Sequence, residues 1–396
     1  WIRPATDTPA SKRGAVTVMF RISHYMRAVR TPSPILPLRI PTGPVVIWNL
    51  IRRCNLTCKH CYSISADTQF KGELSTEEAY TVLDDLKQYG VPVVILSGGE
   101  PLMRTDIFEI SHRAKAMGFY VGLSTNGTLI TEENIQQIAD VGYDYVGISI
   151  DGLEQTHDQF RRLEGAFQQS MHGIDLCQQH HIKVGLRFTL TQENASDLEP
   201  LLDLTEEKAI DKFYLSHLNY AGRGNKNREG DAHHQTTRNA MDLLFERAWE
   251  HVEREDGIEF VTGNNDADGL YLLHWVEQNF PQRADEVRQR LVQWGGNQTG
   301  IYISNIDNLG KVHPDTMWWD TTLGNVKERP FSEIWQDLSN PLMAGLKQKP
   351  RPVTGRCGHC SGFDICGGNT RVRALQLYDD LWAEDPGCYL TDKEIG

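Results

Sequence analysis

The chain has 396 residues, 39% of them hydrophobic, enough for a full catalytic core and a smaller appended unit. Lys plus Arg number 40 against 53 Asp plus Glu, a net charge of -13, so the basic field a general nucleic-acid binder needs is lacking. No run approaches the roughly 18 consecutive apolar residues of a membrane helix, so neither nucleic acid nor membrane is an expected partner.

Residues 1–18 are polar and contain Pro and Thr, and read as a disordered leader or an expression remnant. No long apolar run marks a secretion signal, so a cytoplasmic location is expected, where thiols stay reduced. Phe20, Tyr25, Met26 and Val29 share one face of a short helix, and Pro32, Pro34, Pro37, Pro41 and Pro44 form a stiff linker, so 19–44 is an N-terminal helix and Pro-rich linker.

From Val45 the pattern alternates. Val45–Leu50 predicts a buried strand, and Ser75 with Glu78 forms a capping box for a helix to about Gln88. Strand Val93–Leu96, ending in Gly98-Gly99, precedes a helix over Asp106–Met117 that stops at Gly118. Strands then fall at Tyr120–Ser124, Tyr145–Ile150, Val184–Thr189 and Phe213–Leu218, with helices at Thr131–Val141, Ala166–Gln179 and Asp197–Lys208 between them. About six β/α repeats over 45–218 predict an α/β fold, an open partial (β/α)6 barrel with its active-site loops at the strands' C-terminal ends. Residues 219–299 read as a helical bridging region: a polar loop at Gly222–Gln235, then helices at Thr237–Glu255 and Asp285–Trp294. Residues 300–396 open with a strand and turn near Ile301 and become cysteine- and glycine-rich from Arg356.

Spacing sorts the eight cysteines. Cys54-x3-Cys58-x2-Cys61 follows the first strand. A 4Fe–4S cube usually takes four thiolates, so three on one loop leave one iron open to a chelating small molecule. Structural zinc is the competing reading, but it wants four closed ligands, and His60 is badly placed beside Cys61 to be the fourth. Tyr62 comes next, where a ring can shield the cluster or approach a bound adenine. In Ser97-Gly98-Gly99-Glu100-Pro101 the glycines permit close approach of a ligand, and Glu100 can accept from an ammonium. Ser124 and Asn126 end the third strand, and Ser149 and Asp151 the fourth, where plain turn chemistry competes with ligand contact. Arg187 and Thr189 share inward parity on the fifth strand, and Arg187 suits either a carboxylate or a structural ion pair. Cys357-x2-Cys360-x5-Cys366-x21-Cys388 gives complete coordination for zinc or a second 4Fe–4S cluster, while Cys177 reads as a small buried hydrophobe.

The three-cysteine loop, the aromatic after it and Gly98-Gly99-Glu100-Pro101 resemble the radical S-adenosylmethionine (SAM) superfamily over 45–218. The resemblance implies that Cys54, Cys58 and Cys61 are catalytic and hold a 4Fe–4S cluster ligated by SAM. It also implies that Tyr62, Gly98, Gly99, Glu100, Ser124, Asn126, Ser149, Asp151 and Arg187 surround the cofactor, and that a reductant such as flavodoxin or ferredoxin feeds it. The last cysteines, with Leu323-Gly324-Asn325-Val326, Phe331, Ile334 and Trp335, resemble the SPASM/twitch-like iron–sulfur extension, which implies that Cys357, Cys360, Cys366 and Cys388 hold an auxiliary cluster. The two-cluster form of that extension has a cysteine after a Gly-x-Val-x-Pro-like turn. Here Gly310-Lys311-Val312-His313-Pro314 runs into Asp315, so one auxiliary cluster is expected, with His313 or Asp315 left open as an unusual ligand or substrate contact.

Met19-Phe20-Arg21-Ile22-Ser23-His24-Tyr25 and His313-Pro314-Asp315 further resemble the radical SAM enzymes of haem d1 biosynthesis. That likeness implies an iron tetrapyrrole substrate, 12,18-didecarboxysirohaem, whose propionates are removed or remodelled. A peptide-modifying maturase and another tetrapyrrole-modifying enzyme are the alternatives. Arg223, Lys226 and Arg228 are candidate carboxylate partners or solvated surface; Trp318 and Trp319 are candidate pocket aromatics. His217, His233 and His234 are candidates to approach the iron or are structural.

Overall fold

Seven parallel strands lie side by side in chain order: β1 (Val45–Ile51), β2 (Val93–Gly98), β3 (Tyr120–Thr125), β4 (Tyr145–Ser149), β5 (Val184–Leu190), β6 (Lys212–His217) and β7 (Glu259–Gly263). The computed structural model describes residues 19–35 and 41–396. The expected leader and Pro37 of the expected linker lie outside the described residues. On the far side of β1 the sheet continues through β8 (Ile303–Ile306, parallel), β9 (Lys311–His313) and β10 (Gly324–Asn325), the last two antiparallel.

The sheet thus ends on β10 and β7 and stays open, as a partial barrel should. Phe20 covers the β7 edge: its N–H donates to the Thr262 carbonyl at 3.1 Å and its carbonyl accepts from Thr262 N–H at 2.8 Å. Pairing an edge in this way removes a template for unwanted strand addition.

The first six strands and the helices expected between them match the sequence periodicity. Ser75 caps the helix Thr76–Tyr89 with the full capping box, and Gly90 ends it in the left-handed region at φ 85°. Strand residues Val46, Trp48, Leu50, Val94, Leu96, Val121 and Leu123 are buried, as expected where helices cover a parallel sheet.

Several elements escaped the periodicity, among them the helix Glu154–Arg161 after β4, which carries Arg161, and the strand β7 with the helix that follows it. β7 is a five-residue strand, and the helix Ala267–Asn279 after it buries Leu270, Tyr271, Leu272, Leu273 and Val276. Consecutive buried residues leave no apolar stripe to read. The Gly222–Gln235 segment is not simply a loop: Gly222–Lys226 is a short helix, and His234 opens a 21-residue helix. The sheet also crosses the expected boundary at residue 300, since β8–β10 extend the core's own sheet.

Parallel strands bring their C-terminal ends to one rim. Register places Asn49 beside Ser97, Ser124 beside Gly147, Ser149 beside Arg187, and Leu190 beside His217.

Candidate active site

A cavity of about 300 Å³ opens at that rim, and the sulfur-bearing residues Cys54, Cys58 and Cys61 line it. The loop is pinned from distant parts of the chain. Cys54 N–H donates to the Ala66 carbonyl at 3.1 Å, and Lys59 N–H to the Phe160 carbonyl at 3.0 Å. Arg223 clamps the loop: its backbone N–H donates to the Cys61 carbonyl at 2.8 Å, its Nε to the Cys58 carbonyl at 2.7 Å and its Nη1 to the Ser65 carbonyl at 2.9 Å. A Cβ on Gly222 would stand 2.3 Å from the Tyr62 carbonyl oxygen, so this turn needs glycine to lie against the loop. Arg223 is therefore a brace of the cysteine loop and not solvated surface.

Donors also face the sulfurs. Leu56 N–H lies 3.4 Å and Asn126 Nδ2 3.9 Å from Cys54 Sγ, Arg161 Nη1 lies 3.5 Å from Cys58 Sγ, and Ser63 Oγ lies 3.4 Å from Cys61 Sγ. Burial raises the thiols of Cys54 and Cys58; Arg161 opposes that at Cys58. Three thiols on one loop with N–H donors around them suit an iron–sulfur cluster, whose charge such donors stabilise. Among the described residues no group of three or more His, Cys, Asp or Glu side chains is arranged to hold a single metal ion. Tyr62 lines the cavity, its hydroxyl accepting from Asn49 Nδ2 at 2.8 Å and its ring 6.1 Å from that of Trp319.

The Gly-Gly-Glu segment also has a structural role within the fold. Gly99 N–H donates to the Ile51 carbonyl and Glu100 N–H to the Arg53 carbonyl at 2.9 Å. A Cβ on Gly98 would lie 2.4 Å from the Ile51 oxygen, and one on Gly99 2.3 Å from the Arg53 oxygen. Both glycines line the cavity, yet what forbids a side chain is the backbone that launches the cysteine loop. Glu100 is fully buried and does not line the cavity. Its carboxylate accepts from Thr125 Oγ1 at 2.7 Å, Asn126 N–H at 2.8 Å and Leu102 N–H at 3.1 Å, which ties β2 to the end of β3. Burial pushes this carboxyl up to about 7 against the pull of those donors.

Asp151 likewise sits behind the cavity wall. One oxygen accepts from Thr189 N–H at 2.8 Å, and the other pairs with the Arg161 guanidinium, with His60 Nε2 at 3.7 Å. Its carboxyl is held low chiefly by Arg161, against a larger opposing effect of burial. Burial lowers His60 to about 4, and its ring stacks on Phe160 at 4.8 Å. Ser124, Asn126, Ser149, Arg187 and Thr189 line the cavity. Arg187 touches Ser124 Oγ through Nη1 and lies 5.3 Å over the Tyr214 ring.

Cys357, Cys360, Cys366 and Cys388 surround a second, smaller cavity with Leu270, Phe363 and Leu390. Four thiols around one small cavity, with apolar side chains and the charged Arg356, Glu384 and Asp385 beside them, fit a fully ligated cluster. Burial raises Cys366 well above its usual value and Cys388 to about 11. The two cavities share a thin wall: Asp266 lines the first and Ala267 the second, and Thr370 and Asn369 divide in the same way. Asn297 N–H donates to the Cys366 carbonyl at 3.0 Å, and Gly296 passes so close that a Cβ would lie 2.0 Å from that oxygen.

Other sequence candidates separate cleanly. Asp315 lines the first cavity, whereas His313 is fully buried, bonded to the Thr321 carbonyl at 2.6 Å and stacked on Trp319. Neither lines the four-cysteine cavity. Trp318 and Trp319 line neither cavity, and Lys226, Arg228, His233 and His234 are exposed. His217 does line the first cavity. Cys177 is buried and alone, as expected. Sequence reasoning missed Arg161, Asp266 and Asn297, which carry no motif of their own.

Residues 48–205 match the family described as the Radical SAM superfamily. The chain is 53% identical over 380 residues to a protein of Dinoroseobacter shibae named pre-heme d1 synthase, spanning 96% of this chain and 94% of that protein. It is 45% identical over 370 residues to a Methanosarcina barkeri protein named Fe-coproporphyrin III synthase, spanning 93% of each. Among solved structures, Streptococcus suis SuiB bound to S-adenosylmethionine superposes with a TM-score of 0.68 at 17% identity, over 88% of this chain and 78% of that one. Native anSMEcpe with bound AdoMet gives 0.67 at 19% identity, over 89% and 95%. At those identities the likeness is one of fold.

Proposed function

The chain belongs to the radical SAM superfamily, and from that premise we propose that it removes or remodels propionate side chains of 12,18-didecarboxysirohaem in haem d1 biosynthesis. The observation that carries the reading is one cavity with the three-cysteine loop on one side and Asp266, Asn297 and Thr370 on the other, backed by the four-cysteine cavity. Near-full-length identity of 53% to a protein named pre-heme d1 synthase supports the substrate.

In this reading Cys54, Cys58 and Cys61 hold a 4Fe–4S cluster, and Cys357, Cys360, Cys366 and Cys388 hold one auxiliary 4Fe–4S cluster. The SAM-ligated cluster supplies reductive cleavage to a 5′-deoxyadenosyl radical, fed by a reductant of the flavodoxin or ferredoxin class in the cytoplasm. Gly98, Gly99, Ser124, Asn126, Ser149 and Arg187 shape the SAM side of the cavity. Arg161 sets the charge beside Cys58, while Glu100 and Asp151 fix the strand ends that carry these groups. Enclosure is what selects one C–H bond, because so reactive a radical has little selectivity of its own.

The test is anaerobic incubation with SAM, reductant and substrate deuterated on the propionates. Label is expected in 5′-deoxyadenosine, with a tetrapyrrole product of lower mass. Turnover with unlabelled nucleoside would move the abstraction site elsewhere. The 45% identity to a protein named Fe-coproporphyrin III synthase favours a second reading, a different tetrapyrrole conversion. Formation of Fe-coproporphyrin III as the sole product would establish that one instead.

A further inference from the structure

We propose that His217, oriented by Asp268, binds a carboxylate of the substrate at the wall between the two cavities; this rests on the tetrapyrrole reading. His217 ends β6 and lines the first cavity. Its Nε2 lies 3.0 Å from Asp268 Oδ2, and Tyr389 Oη donates to Asp268 Oδ1 at 2.7 Å. The Tyr389 ring also lies nearly parallel to the imidazole, with centroids 6.2 Å apart.

Asp268 is fully buried. A carboxylate only accepts, so Nε2 carries the hydrogen in this pair. A buried carboxylate charge met by a tyrosine hydroxyl alone is costly, and an imidazolium offsets that cost. The other ring nitrogen, Nδ1, has no hydrogen-bond partner among the described residues and is not sealed off by them. An N–H there, on a ring that lines the cavity, suits an anion.

Of the other cations of the cavity, Arg161 pairs with Asp151 and Lys212 lies 3.6 Å from Glu259, while Arg187 bonds Ser124 at the end of β3, among the residues assigned above to the SAM side. The wall built by residues 263–266, 297–299, 315–317 and Thr370 contributes amides, hydroxyls and two acids to the lining, and no Lys or Arg. Its acids have their own donors: Asn297 Nδ2 at 2.8 Å from Asp266, and Met317 N–H at 2.7 Å from Asp315. Among the described residues, His217 is the basic side chain that this part of the cavity offers to a propionate, with Nδ1 as the free ring position.

Dissociation constants for iron coproporphyrin III and its methyl ester, followed by Soret absorbance on the cluster-loaded protein, test this. The unaltered protein is expected to prefer the free acid by about tenfold to a hundredfold, the range of one charge-assisted hydrogen bond. His217→Gln should abolish the preference, and Asp268→Asn should narrow it. The ratio does not depend on the fraction of active protein, and if His217→Gln fails to fold, the narrowing in Asp268→Asn decides. An unchanged ratio in the variants, or an equal loss of acid and ester as an iron ligand would give, overturns the proposal. Binding of neither probe by the unaltered protein would overturn the tetrapyrrole reading itself.

Discussion

Arg161 reaches Cys58: its Nη1 lies 3.5 Å from the sulfur, while the same guanidinium pairs with the buried Asp151 carboxylate. The pair thus links the cysteine loop to the end of β4. Arg161→Met would leave Asp151 charged and unpaired, at a cost of about 3–5 kcal/mol. Adding Asp151→Asn should restore most of the stability in urea unfolding without restoring the donor at the sulfur. Iron retention should therefore stay low in the double variant; full retention would show that the Cys58 contact is incidental.

Gly99→Ala should damage the cysteine loop rather than merely narrow a ligand site. The new Cβ would meet the Arg53 carbonyl at 2.3 Å, and backbone has little room to yield. Overpacking of this kind costs about 1–3 kcal/mol or more. A lower midpoint in thermal unfolding of the cluster-free protein is expected. A variant with unchanged stability and weakened SAM binding would return Gly99 to a pure ligand role.

Glu100 should make stability pH-dependent. Its carboxyl, pushed up to about 7, binds its proton more tightly folded than unfolded, where the value is about 4.3. Below the unfolded value the stabilisation is fully present, and it is lost as pH rises toward 7. Glu100→Gln should flatten that slope when unfolding is compared between pH 4.5 and 8. The same change sets an amide NH2 against the N–H donors of Asn126 or Leu102, at a cost of about 1–3 kcal/mol at neutral pH.

Two clusters predict about eight irons per chain after anaerobic reconstitution. Replacing Cys54, Cys58 and Cys61 together by Ala should leave about half, with SAM cleavage abolished. Replacing Cys357 and Cys360 should remove the other half and spare some SAM cleavage. Zinc in place of that residual iron, found by elemental analysis, would overturn the auxiliary assignment.

The sequence by itself determined the alternating β/α order, the capping box at Ser75 and both cysteine groupings. Each is written in local spacing, as strand and helix periods, as one loop, or as a loop with one cysteine returning after 21 residues. β7 and the helix Ala267–Asn279 stayed hidden because short or wholly buried elements carry no stripe. Only the tertiary structure decided that Glu100 and Asp151 brace strand ends behind the cavity, that Arg223 clamps the cysteine loop, and that His217 alone of three candidate histidines faces the cavity. Those outcomes depend on partners such as Cys58 and Arg161, or Cys58 and Arg223, that lie 103 and 165 residues apart. Local pattern carries no information about such pairs; the parallel sheet creates them by gathering the C-terminal ends of its strands at one rim.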